Sequence, residues 1–131
     1  MADYSKTHQL LYAARVNLNS VADTPVYLPF SRCQVTSVKL ANVSTTLAAS
    51  SATIGLYSGP GATGTAIVTP ATATALTGPD VVDNRTLAST ALTGGTQVNN
   101  NLRQLYVRVG VAHGSAATVD VLIEVTRWAG P

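Results

Sequence analysis

The sequence predicts an all-β protein, an antiparallel sandwich of seven or eight short strands, on three observations. First, Leu105, Val107, Val109 and Val111 alternate with Tyr106, Arg108 and Gly110, and Val119, Val121, Ile123 and Val125 alternate with Asp120, Leu122, Glu124 and Thr126. A period of two puts each apolar set on one face of a strand. Second, the stretches between apolar runs are dense in Gly, Pro, Asn and Ser, as at 58–64, 78–80 and 99–101, and these are turn residues. Third, Thr, Val, Gly and Asn dominate, and only residues 8–15 have the makings of a turn or two of helix. Jelly-roll-like and immunoglobulin-like sandwiches both satisfy this pattern.

Residues 1–10 are polar and without period, so residues 1–12 read as an N-terminal arm and 13–131 as one sandwich domain. Ala14, Val16 and Leu18 alternate with Arg15 and Asn17 as a first strand. Val26, Tyr27 and Leu28 lie between Pro25 and Pro29, which places them on a sheet edge. Residues 33–43 form the next strand, and the slip of alternation between Val35 and Val38 predicts a bulge. Residues 45–51 are a loop of small side chains. Ile54 and Leu56 face inward on a strand over 52–57, which returns through 66–68 as a hairpin with a longer loop. Residues 72–102 hold one or two brief strands. The stretches 105–111 and 119–125 are expected to pair as a hairpin, with Val111 opposite Val119, Val109 opposite Val121, and Arg108 diagonally between Asp120 and Glu124. A second sheet must then cover that aliphatic wall.

At 131 residues the chain is one domain's worth. Charged residues make up 11% of it, under half the ordinary share, so its polar surface comes from Thr, Ser, Asn and Gln. Such a surface suits a protein packed among neighbours, and we expect a homo-oligomer, a trimer favoured over a dimer. Net charge is only +2 and the basic residues are scattered, so no nucleic-acid partner is expected. No apolar run nears the ~20 residues of a membrane span, and residues 1–6 have no signal-peptide layout. Cys33 is the only cysteine, which rules out an internal disulfide and suggests a small core residue.

The reactive inventory is sparse. Of the two histidines, His8 sits in the arm and His113 in the expected hairpin loop, solvated, with no nucleophile-elbow motif. Asp80 and Asp83 come nearest to metal-ligand spacing but lack the oxygen density of a calcium loop. Asp120 and Glu124 are four residues apart on one strand, about 13 Å, too far for a glycosidase pair. Gly59, Gly61 and Gly64 open no helix and precede no lysine, so they read as turn residues and not a phosphate cradle. We therefore expect no catalytic residues, no metal, no cofactor and no enzymatic activity. Tyr57, Tyr106 and Trp128 cover a core edge or, if they converge, form a sugar platform. A carbohydrate-binding or adhesin module is accordingly the alternative reading. In the arm, Tyr4, Lys6, Leu10, Leu11 and Tyr12 are the candidate partner contacts, since aromatic and apolar anchors are favoured at interfaces.

The strand ending Gly55-Leu56-Tyr57, its small-residue turn through Gly64, and the later Leu105-Tyr106-Val107-Arg108-Val109-Gly110 strand resemble small structural proteins of tailed bacteriophages, above all head decoration, or cement, proteins. The resemblance covers about a third of the chain and carries no catalytic motif. It implies a non-enzymatic protein of the virion, assembled in the host cytoplasm, that binds the major capsid protein or other virion subunits. A head–tail connector or tail component belongs to the same class.

Overall fold

The computed structural model describes residues 9–28, 32–88, 98–99 and 104–127. Among them the strands are β1 (Gln9–Asn17), β2 (Ala22–Tyr27), β3 (Arg32–Ala41), β4 (Thr53–Gly59), β5 (Thr63–Thr72), β6 (Asp83–Asn84), β7 (Val98–Asn99), β8 (Gln104–Val111) and β9 (Thr118–Arg127). The only helical element among the described residues is a 3-10 turn, Pro60–Ala62. The stretch with helical potential, from Gln9 onward, is strand. One sheet runs β1-β9-β3-β6, with β7 also on β3; the other runs β2-β8-β4-β5. Every pairing is antiparallel.

The pairing is nested. β1 pairs β9, β2 pairs β8, β3 pairs β6 and β4 pairs β5, as in one long ribbon doubled back on itself. Rolling the ribbon adds the contacts β9–β3 and β8–β4. This is the jelly-roll arrangement. An immunoglobulin sandwich keeps its first two strands in one sheet, whereas β1 and β2 lie in different sheets here.

The expected hairpin of β8 with β9 does not form. β8 is flanked by β2 and β4, with Val109 opposite Ala22 and Ile54. β9 is flanked by β1 and β3, with Val121 opposite Ala14 and Leu40. The connection over 112–117 is too long for a two-residue turn. It is also held by the end of β1: the His113 amide donates to Leu18 O at 2.8 Å, and the Leu18 amide donates to Ala117 O at 2.8 Å. The chain thereby steps from one sheet to the other. Arg108 consequently lies 3.4 Å from Asp23, while Asp120 meets Arg15 at 3.0 Å and Glu124 meets Lys39 at 3.8 Å.

The inward faces are as the alternation demands. Leu105, Val107, Val109, Val119, Val121, Ile123 and Val125 are all buried, and they meet Val16, Val38, Leu40, Ile54, Leu56 and Ile67 in a single apolar cluster between the sheets. The bulge in β3 falls between Val35 and Ser37. The extra residue, Thr36, sends its hydroxyl to Glu124 O at 3.2 Å. Pro25 sits in edge strand β2, and the β4–β5 hairpin forms. Gln9 to Tyr12 pair with Thr126 to Ile123, so the sandwich begins four residues earlier than the boundary after residue 12. Residues 1–8, Cys33's side chain and Trp128 lie outside what the structure describes.

Val109 is 1% exposed and Val111, at the end of the same alternation, 46%. Val109→Asp buries an unpaired charge and should cost more than about 4 kcal/mol, enough to abolish cooperative unfolding. Val111→Asp should stay within about 0.5 kcal/mol of wild type. Thermal melts followed by circular dichroism separate the two outcomes.

Candidate functional site

Pairing of Gln9 with Thr126 brings the start of β1 and the finish of β9 to one end of the sandwich. At the opposite end lie four connections, residues 18–21, 42–52, 73–82 and 112–117. Each inserts apolar side chains beneath itself: Leu18, Leu47 and Leu76 are 0% exposed, and Val43, Ala73 and Ala117 are nearly so. The connections are also bonded to one another. Leu18 and the 112–117 loop exchange the two bonds described above. The Ser44 amide donates to Thr118 O at 2.9 Å, and the Thr118 amide donates to Ser44 Oγ at 2.9 Å. The Leu47 amide donates to Leu76 O at 2.8 Å.

What this tied end presents is mostly small and uncharged, with Val21 and Val82 each 53% exposed at its margins. Thr45, Thr46, Ala48, Ala49, Thr74, Ala75, Thr77, Ser115 and Ala116 are exposed, and Asp80 is the sole charged residue in the four connections. Ala has no rotamer entropy to lose on contact and Thr little, and loops already tied pay no further ordering cost.

His113 is half-buried and not solvated as expected: its Nδ1 lies 2.7 Å from Ser50 Oγ. Ser50 Oγ also accepts the Ala52 amide at 3.0 Å. A hydrolytic triad needs a third group to orient the base and donors for an oxyanion. Among the described residues no carboxylate bonds His113, and the serine oxygen already serves the backbone. The pair acts as a strut between two loops.

The candidate contacts from the arm divide. Tyr4 and Lys6 lie outside the described residues. Leu10 stands in β1 opposite Val125. Leu11 is 61% exposed on the outer face, while Tyr12 is half-buried and packs against the core edge opposite Ile123. Tyr57 and Tyr106 are direct cross-strand partners, yet each is only 9% exposed, so this pair offers no open platform. Gly55 makes room for Tyr57: a Cβ there would lie 3.0 Å from Val68 O and 3.2 Å from a Tyr57 ring carbon. The β4–β5 turn, left-handed at Gly61 and Ala62, folds over the outer face of its sheet. The Gly61 amide donates to Asp23 Oδ2 at 2.8 Å. An amide of the glycine-rich turn thus already holds an anion, supplied by the chain itself.

An open cleft of about 460 Å³ lies between β5 and residues 83–88. Arg85 closes its floor. The guanidinium donates to Thr72 O at 3.0 and 3.1 Å and to Ala71 O at 3.3 Å, with Asp83 at 3.6 Å. Its side chain is 7% exposed and Nε has no partner among the described residues. Burial draws its pKa below the usual guanidinium value, and the Asp83 charge counters this. The residue bridges the open flank of the two sheets.

On the outer face of the β1 sheet, Arg15 donates to Asp120 Oδ1 at 3.0 Å, Asn42 O at 2.7 Å and Thr118 Oγ1 at 2.7 Å, and Asn42 Nδ2 donates to Asp120 Oδ2 at 2.8 Å. Hydrogen bonds from Asn42 and then Arg15 hold the Asp120 carboxyl below the usual carboxylate range. Asn42 takes a positive φ of 53° to enter this network.

Among the described residues no three His, Cys, Asp or Glu side chains gather as metal ligands, and no helix is long and apolar enough to cross a membrane. No family model matches the chain, and no curated protein or solved structure matches it either.

Ser50→Ala and His113→Ala should each cost about 1 kcal/mol of stability. The double variant should cost clearly less than the sum, because both remove one strut; urea unfolding of the four proteins closes the cycle. Asp120 bonds in its ionised form, so its contribution is present above the unfolded carboxylate pKa of about 3.9 and is lost as pH falls through the lower folded value. Asp120→Asn should therefore melt below wild type near neutrality, and the gap should narrow from about pH 4 downward in melts taken across that range.

Proposed function

We propose that this is a non-enzymatic virion structural protein, a capsid decoration protein that attaches to an assembled phage head through its tied loop end. The observation that carries the reading is the character of that end: four connections locked by mutual hydrogen bonds and buried leucines, showing mainly Thr, Ala and Ser outward, with Val21 and Val82 exposed beside them and Asp80 as the only charge. A symmetric shell offers many equivalent flat sites, and many weak, neutral contacts add up by avidity. The jelly roll is also an architecture of viral capsid domains, a likeness of fold alone. Other virion positions, at the head–tail junction or in the tail, use the same kind of contact. The sugar-binding alternative draws no support from Tyr57 and Tyr106, which are closed against each other and their own sheet.

The test is co-sedimentation with empty shells assembled from the major capsid protein of the same genome. Wild type should pellet with the shells. Ala48→Glu together with Ala49→Glu, both exposed, should weaken attachment at least about tenfold with an unchanged melting temperature. Deletion of residues 2–8 serves as the comparison. If only that deletion abolishes attachment, contact is made at the other end of the sandwich. If wild type ignores the shells and instead binds immobilised glycans, the sugar-binding reading replaces this one.

A further inference from the structure

A sandwich exposes four strand edges, and three here are blocked. In the β2 sheet, β2 carries Pro25, which has no N–H to offer. At its other edge β5 holds Pro70, the Arg85 guanidinium occupies the carbonyls of Ala71 and Thr72, and the Ala88 amide takes Ile67 O at 2.8 Å. In the β1 sheet, the far edge is broken into the two-residue strands β6 and β7. These are the devices by which sheets avoid joining other chains. The fourth edge, β1, shows none of them among the described residues. It is nine residues long, contains neither Pro nor Gly, and among the described residues takes its strand pairing from β9 alone. Its single charge, Arg15, is already held by Asp120.

We propose that two copies of this chain pair through the outer edge of β1, antiparallel and centred on Ala13, making one continuous sheet across a two-fold axis. Ala13 is the midpoint of Gln9–Asn17, so this register overlaps the whole strand. It brings Gln9 opposite Asn17 in register, and on the outer face it opposes Leu11 to Arg15 and Ala13 to itself. The 61%-exposed Leu11 meets the aliphatic stem of an arginine whose charge is satisfied elsewhere, and the axis is crossed by the small side chain of alanine. On the inner face Tyr12 opposes Ala14, a large residue against a small one, and both are half-buried at the core's open flank. No like charges meet. A registry that is self-complementary in size and polarity at each of these pairs specifies a second copy above an unrelated strand, and it replaces the three-fold association expected from composition with a two-fold one. The inference does not depend on the capsid role.

The experiment uses a Cys33→Ser background, since Cys33 is the only native cysteine. Residues opposed across an antiparallel pair have Cα atoms about 4.5–5.5 Å apart, within disulfide reach. Ala13→Cys should therefore give a disulfide-linked dimer under mild oxidation at low micromolar protein. Asn17→Cys, equally exposed but about 26 Å from its own copy in this register, should not. Leu11→Lys places a second cation against Arg15 twice per dimer. It should raise the dimer dissociation constant at least about tenfold in sedimentation equilibrium while the monomer keeps its circular dichroism spectrum. A wild-type protein that stays monomeric at high micromolar concentration overturns the proposal. So does a dimer or trimer that Ala13→Cys fails to link, or cross-linking through Asn17→Cys as readily as through Ala13→Cys.

Discussion

The structure depends on one constraint: the two longest aliphatic faces, those of β8 and β9, must be covered, and they cover each other from opposite sheets. Val107 and Val109 on one side and Val119, Val121 and Ile123 on the other are at most 1% exposed. Placing consecutive strands in different sheets forces the chain to cross the end of the sandwich after β1, β3, β5 and β8. Those crossings become the tied loops. The same rolling leaves β1 and β6 as opposite edges of one sheet and β2 and β5 as opposite edges of the other. Core, loop end and strand edges thus follow from a single topological choice, and that choice is favoured because each long strand turns one aliphatic face inward.

Side-chain alternation reports which face points inward, and it does so whichever sheet a strand joins. This is why the inward residues of 105–111 and 119–125, the bulge near Val35, the β4–β5 hairpin and the edge position of Pro25 are legible in the sequence, while the β8–β9 pairing is not. Pairing is set by what competes for a strand's hydrogen-bonding edges, and the competitors of β8 are β2 and β4, some 50 to 80 residues distant. The loop length of 112–117 was the one local signal against a tight hairpin. Jelly roll and immunoglobulin sandwiches have similar strand counts and turn spacing, so only the pairing separates them.

The candidate site was less legible, for the same reason. That residues 45–51 would be a loop of small side chains is plain from composition. That Leu47, Leu76 and Leu18 would anchor three loops side by side is not, because each looks like an isolated apolar residue in a polar stretch. His113 likewise looks solvated until Ser50, 63 residues away, is brought to its Nδ1. The tyrosines mislead in the other direction. Tyr57 and Tyr106 sit on the outer face by period, which suggests exposure, yet the Gly55 gap and the folded-over turn enclose them.

The distribution of charge connects these parts. Of the acids in the described residues, Asp23, Asp83, Asp120 and Glu124 each meet a basic side chain, respectively Arg108, Arg85, Arg15 and Lys39. Exposed pairs such as Lys39–Glu124 contribute about 0–1 kcal/mol each, so stability is a poor account of this pattern. Its larger effect is on the field outside the molecule. Paired charges cancel within a few ångströms, and at ordinary ionic strength a Debye length of about 8 Å erases what is left. Apart from Asp80 on the loop end, the described residues of that end and of the β1 edge then add little long-range potential. A partner is not steered toward such surfaces, and encounter proceeds at the slower rates of neutral association. Selection must occur at contact, by shape and hydrogen-bond registry. Such surfaces fit the dense array or the second copy proposed above better than they fit a scarce soluble ligand.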